Sequence, residues 1–203
     1  ASDVYKRQLQ VLAWRYQKKK EACHMSKHVL ILSSTPRKGG NSELLCAQFA
    51  RGAAGAGHTV ETISLREKDI RCCTGCGACS ASRQCVQKDD MADILARMVA
   101  ADVIVLATPV YFYSMCAQMK TLIDRTVPRY GEISGKEFYF IVTAADTDTG
   151  MMKRTIEGLR GFTEDCLPGA VEKGILYGVG AWQKGDIEKT PAMAQAYGMG
   201  RNV

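Results

Sequence analysis

The sequence predicts an α/β fold, a parallel β-sheet covered by helices on both faces. Short apolar runs rich in branched residues alternate with segments of helical period along most of the chain. The runs are nearly continuous in apolar character, as strands buried on both faces must be. The 203 residues suffice for one sizeable core and do not require a second domain.

His28 to Leu32 reads as a short buried strand, and Glu43 to Ala50 opens a helix with Asn41 or Ser42 where an N-cap belongs. His58 to Ser64 alternates polar and apolar as a strand at a sheet edge does. Asp90 to Ala100 places Met91, Ile94, Leu95 and Met98 at helical spacing, and Asp102 to Ala107 (DVIVLA) is a further buried strand. Ser114 to Arg125 is predicted as the next helix, with Ser114 as its cap. Phe138 to Thr143 is a fourth strand, Met151 to Phe162 a helix, and Val171 to Val179 a weaker fifth strand. The closing GVGAWQKGDI segment leads into a short helix.

Between the first strand and helix lies SSTPRKGGNS, Ser33 to Ser42. The free N–H groups of a helix's first turn, with the positive end of its dipole, form an anion site. Ser34, Thr35 and Ser42 add hydroxyls there, and Arg37 and Lys38 add charge. Gly39 and Gly40 let the backbone close around a ligand. An ordinary polar turn is the plainer alternative, but the density of donors favours a phosphate. The chain has no G-x-x-x-x-G-K-[ST] and no G-x-G-x-x-G after this strand. The fingerprints of P-loop nucleotidases and Rossmann dinucleotide folds are therefore missing.

The segment TPRKGGNSELL resembles the S-P-R-x-x-G-N-[ST] loop of the NAD(P)H-dependent FMN reductase family. ATPVYFYSMCAQMKTLIDR, Ala107 to Arg125, is similar to that family's second flavin loop and the helix after it. GKEFYFIVTAADTD, Gly135 to Asp148, is similar to the strand and loop passing beside the isoalloxazine. The resemblance implies a flavodoxin-like three-layer sandwich, with a five-stranded parallel sheet in the order 2-1-3-4-5. Ligands of such sheets bind outside the carboxyl ends of strands one and three. It also implies FMN held by Ser34, Thr35, Arg37, Gly40, Asn41 and Ser42, by Thr108, Pro109, Val110, Tyr111, Phe112, Tyr113 and Ser114, and by Ala144, Ala145 and Asp146. NAD(P)H is the implied co-substrate, and a homodimer or higher homo-oligomer the implied assembly. The electron acceptor would be a small molecule such as a quinone, a nitro or azo compound, or free flavin. Asp124-Arg125 resembles the family's I-D-R and reads as a structural ion-pair and capping element.

Cys73, Cys76, Cys79 and Cys85 form C-x2-C-x2-C-x5-C, with glycines that permit tight turns. Three readings compete. A cubane [4Fe–4S] cluster needs four converging thiolates, and C-x2-C-x2-C wraps three of its corners. Iron–sulfur flavoproteins of the same superfamily are similar in carrying a compact four-cysteine motif after the second strand. Those proteins suggest an alternative function as an electron carrier fed by a ferredoxin-like donor. A structural zinc usually takes two well-separated C-x2-C pairs. Free or redox-active thiols beside the flavin pocket are the third reading. Cys46 and Cys116 fall on predicted helices and read as small packed residues.

Residues 1–24 carry six Lys/Arg against Asp3 and Glu21, hence +4 of the total +6. They are expected to be disordered upstream or vector-derived sequence, with Met25-Ser26-Lys27 opening the domain that runs over residues 25–203. Three consecutive lysines there are thin evidence for a nucleic-acid or membrane partner, and neither is expected. Nine cysteines without a secretory signal point to reduced thiols in a cytoplasm, or to metal ligands, rather than a disulfide scaffold. His24, His28 and His58 have no spaced partners for a triad or metal site, and no side-chain acid or base is expected.

Overall fold

The computed structural model describes residues 26–203. The expectation for residues 1–24 lies outside that range. Five parallel strands form the sheet: β1 (His28–Ser33), β2 (Thr59–Ser64), β3 (Val103–Tyr111), β5 (Glu137–Thr143) and β6 (Val171–Gly178), in the order β2-β1-β3-β5-β6. Ranked along the chain, these five give the predicted order. A sixth strand absent from the prediction, β4 (Ser114–Met115), pairs antiparallel with the end of β3.

Alternate residues of the central strands feed two cores, because successive side chains point to opposite faces. Leu30 and Leu32, Ile104 and Leu106, and Phe138 and Phe140 face one side. There they meet α3 (Met91–Ala100), α4 (Ala117–Asp124) and α5 (Lys153–Cys166). Val29, Ile31, Val103, Val105 and Ile141 face the other side. That face is covered by α1 (Asn41–Gly55) and α6 (Ala192–Arg201). A one-turn helix, α2 (Cys79–Ser82), lies in the long connection between β2 and α3.

The two helices of the second face approach closely at paired glycines. A Cβ on Gly52 would lie 2.2 Å from the Tyr197 carbonyl oxygen, and one on Gly200 2.1 Å from that of Phe49. No larger residue fits either backbone contact. This packing fixes α1, and with it the loop at its N-terminus.

Two boundaries differ from prediction. The helix expected from Ser114 starts at Ala117, with Cys116 as its cap. Ser114 and Met115 instead pair with Tyr111 and Val110. The hairpin turn consists of Phe112 and Tyr113, at φ +49° and +63°. Positive φ at both central positions matches the right-handed twist of two strands, but Asn-Gly usually supplies it. For aromatic residues the conformation is strained. At the other boundary, α1 begins at Asn41 with Gly40 as its cap, and no side chain caps its first turn.

Candidate functional site

The loops after β1, β3 and β5 converge at the carboxyl end of the sheet. They enclose a crevice of about 380 Å³ lined by Thr35, Arg37, Asn41 and Ser42, by Pro109 to Phe112, and by Thr143 to Ala145. Ala181 and Trp182, from the loop after β6, complete it.

Side chains explain why α1 is uncapped. Asn41 Nδ2 donates to the carbonyls of Ala181 (3.1 Å) and Gln183 (2.9 Å), while its Oδ1 accepts from the Gly185 amide at 3.0 Å. Asn41 is thus a clamp that closes the loop after β6 over the loop after β1. Ser42 Oγ lies 2.7 Å from Thr143 Oγ1 and ties the same turn to β5. Glu43 accepts from the Gly39 amide at 2.8 Å and pairs with Arg66 at 2.8 Å, which offsets its charge near the first turn. Uncapped first-turn amides beside an exposed Arg37 are the kind of groups that attract an anion. Gly40 is required there: an added Cβ would lie 2.9 Å from the Arg37 carbonyl oxygen and 3.1 Å from Thr35 Oγ1.

The predicted residues divide by position. Thr35, Arg37, Asn41, Ser42, Pro109, Val110, Tyr111, Phe112, Ala144 and Ala145 line the crevice. Ser34 does not. Its hydroxyl donates to the Ala107 carbonyl at 2.8 Å and takes the buried Cys116 thiol at 3.1 Å, so it is a strut beneath the loop. Thr108 is likewise buried, and its Oγ1 accepts from the Cys116 amide at 3.1 Å. Gly40, Tyr113, Ser114 and Asp146 lie outside the crevice lining. Gly40 shapes the backbone that does line it. Asp146 Oδ1 takes the Asp148 amide at 2.9 Å within its own loop. Thr143, Ala181 and Trp182 join the lining unpredicted. Trp182 is 67% exposed and Phe112 fully exposed, so two aromatic side chains stand at the rim.

The cysteine motif forms a separate place. Cys73, Cys76, Cys79 and Cys85 all line one cavity of about 220 Å³, walled on its other side by Arg125, Val127 and Pro128. Gly75 (φ +66°) and Gly77 (φ +72°) supply the turns that bring them there. Cys72 lies outside the cavity, its sulfur 3.7 Å from Thr121 Oγ1. The Ala78 amide and then the Thr74 hydroxyl hold the Cys76 thiol below its ordinary pKa. The eight described cysteines are unpaired. Among the described residues no three Cys, His, Asp or Glu side chains stand close enough together to hold a metal ion. The donor set and its shared cavity suit a four-thiolate group.

Arg125 is the residue behind this cavity. Its side chain is 1% exposed and that of its partner Asp89 fully buried, at 2.7 and 2.9 Å in a two-pronged pair. A second prong also donates to Cys85 Sγ at 3.5 Å. Asp124, its neighbour in sequence, pairs instead with Lys120 on the surface. The structural role expected of Asp124-Arg125 thus falls chiefly to Arg125. Cys46 is buried as expected, and burial pushes its thiol up to about 12.

The parallel order and the crevice at the strand ends define a flavodoxin-like α/β protein. More narrowly, residues 28–157 match the family described as NADPH-dependent FMN reductase, and the chain belongs to that family. An iron-sulfur flavoprotein of Archaeoglobus fulgidus is 43% identical over 105 residues, 52% of this chain and 47% of that protein. One from Methanocaldococcus jannaschii is 35% identical over 135 residues, 66% of this chain and 70% of that protein. The chain thus spans about half the length of the Archaeoglobus relative. An NAD(P)H:quinone oxidoreductase from Methanothermobacter marburgensis shares the fold, with a TM-score of 0.68 at 20% identity, over 88% of this chain and 97% of that one. No helix among the described residues is long and apolar enough to cross a membrane.

Proposed function

We propose that the protein is an FMN-dependent oxidoreductase that takes electrons from NAD(P)H and passes them to a small acceptor such as a quinone, a nitro or azo compound, or free flavin. The observation that carries this reading is the uncapped first turn of α1, opening beside Arg37 into a crevice at the sheet's carboxyl end. Bound FMN would supply the redox chemistry by accepting hydride from a nicotinamide. The chain's own residues bind and orient. The first-turn amides, Arg37, Thr35 and Ser42 hold the phosphate, with Asn41 fixing the loop that closes over it. Ala144 and Ala145 carry too little side chain to keep a flat ring from the backbone. Phe112 and Trp182 stand at the rim of the open side. No side chain needs to act as acid or base. The free thiols suit a cytoplasmic location.

Tyr111, Phe112 and Tyr113 are 42%, 100% and 49% exposed at a strained turn, beside a crevice open on one face. A second copy of the chain covering that face would bury them. Light scattering of the flavin-loaded protein at micromolar concentration is expected to give a dimer or higher homo-oligomer. A monomer contradicts the assembly.

A second reading is favoured by four cysteines sharing one cavity. In it the protein also holds a [4Fe–4S] cluster through Cys73, Cys76, Cys79 and Cys85 and carries electrons from a ferredoxin-like donor. The visible spectrum of anaerobically purified protein separates the two. Flavin bands alone support the first, flavin bands over broad absorption with bound iron support the second, and a colourless protein that takes up no FMN overturns both. Under the second reading, serine at any of the four positions is expected to lose iron and keep FMN. Serine at Cys46 or Cys166 is expected to lose neither.

A further inference from the structure

A cavity of about 840 Å³, more than twice the flavin crevice's 380 Å³, adjoins the cysteine cavity. It shares no lining residue with the crevice, so its content is independent of the flavin reading. Its floor is apolar, made by Met91 and Leu95 of α3 with Pro128. Its wall includes Cys85, Gln87 and Arg125, which together with Pro128 also line the cysteine cavity.

The charges around it do not cancel. Asp89 is taken by Arg125 at 2.7 Å, and Glu132 by Arg129 at 2.8 Å. Two further cations of the lining, Arg83 and Lys88, make no ion pair within 4 Å among the described residues. Glu132 feels Arg83 only weakly beside the closer Arg129. Arg83 is also one of three non-glycine residues at positive φ (+53°) among the described residues, ending α2 in a conformation side chains rarely adopt. From that turn Arg83 lines the hollow. A concave, largely apolar site with a few placed polar groups is the usual form of a small-molecule pocket.

We infer that this cavity is a second ligand site, for a small organic anion with a compact apolar body and one carboxylate, sulfonate or phosphate group. The apolar body rests on Met91, Leu95 and Pro128, and the anionic group meets Arg83 and Lys88. A ligand seated there touches Cys85, which also lines the cysteine cavity. Occupancy is therefore felt at the thiol site and not at the flavin crevice.

The test uses the full chain and 1-naphthalenesulfonate as the probe, with its uncharged near-isostere 1-naphthalenesulfonamide. Calorimetric titration is expected to give one saturable sulfonate site per chain, with the sulfonamide at least tenfold weaker. Arg83→Gln with Lys88→Gln is expected to weaken the sulfonate at least tenfold, and raising the salt to weaken it in the wild type. Ala92→Trp fills the cavity from an exposed helix position and is expected to abolish binding. All these positions are exposed and outside the crevice, so each variant's unchanged FMN affinity serves as the check on folding. Equal binding of sulfonate and sulfonamide, undiminished binding by Ala92→Trp, or displacement of the probe by FMN overturns the assignment.

Discussion

Arg125→Met is expected to lower the stability of the fold by about 3–5 kcal/mol, the usual cost of leaving one charge of a buried pair uncompensated. The side chains of Arg125 and Asp89 are 1% and 0% exposed, so water cannot replace either partner. Asp89 also accepts from the amides of Arg71 and Met91, both at 3.2 Å. Losing the guanidinium therefore loosens both ends of the segment that carries the four cysteines. Urea denaturation followed by circular dichroism measures the loss, as a lower midpoint at unchanged slope. An unchanged midpoint contradicts the role given to this pair. Its pH dependence has a definite sign. Burial alone would raise the Asp89 pKa, but the Arg125 hydrogen bonds and the two amides outweigh it and hold the carboxyl below its ordinary range. A depressed folded pKa stabilises fully above the unfolded value of about 3.9. That stabilisation disappears as pH falls through the lower, folded value.

The second large effect belongs to the crevice. Arg37→Ala together with Ser42→Ala removes a charge and a hydroxyl from the phosphate loop, and hydrogen bonds to charged groups contribute about 1.5–3 kcal/mol each. FMN affinity is expected to fall at least tenfold. The fold should survive, since Arg37 is exposed with its one described side-chain hydrogen bond to the Trp182 carbonyl at 3.0 Å, and Ser42→Ala gives up a single described side-chain bond, to Thr143. Titration by flavin fluorescence reads the change, and an unchanged affinity contradicts the loop assignment.

The sheet was legible because strands buried on both faces leave a continuous apolar record, and β1, β3 and β5 are such strands. The loop after β1 was legible because donors crowd into ten consecutive residues. What escaped depends on partners far away in the chain. Asn41 reads as a helix cap until its contacts with Ala181, 140 residues away, are known. Arg125 meets Asp89 across 36 residues, and no local pattern pairs them. Trp182 reaches the crevice on a loop held down by Asn41 and by Arg37, both from the far side of the sequence. The Phe112-Tyr113 turn was hidden for another reason: aromatic residues disfavour positive φ, so local preference argues against the hairpin that forms. The excess strand β4 and the late start of α4 both follow from that turn.

The central claim is that the loop from Ser33 to Ser42 holds the phosphate of FMN. Riboflavin carries the same ring without the phosphate, so comparing the two ligands isolates the loop. Fluorescence titration of flavin-free protein is expected to show FMN binding at least a hundredfold tighter than riboflavin, given two charge-assisted contacts of about 1.5–3 kcal/mol each. In Arg37→Ala/Ser42→Ala that preference should shrink by at least tenfold while riboflavin affinity stays the same. Equal affinity of the wild-type protein for FMN and riboflavin would contradict the claim.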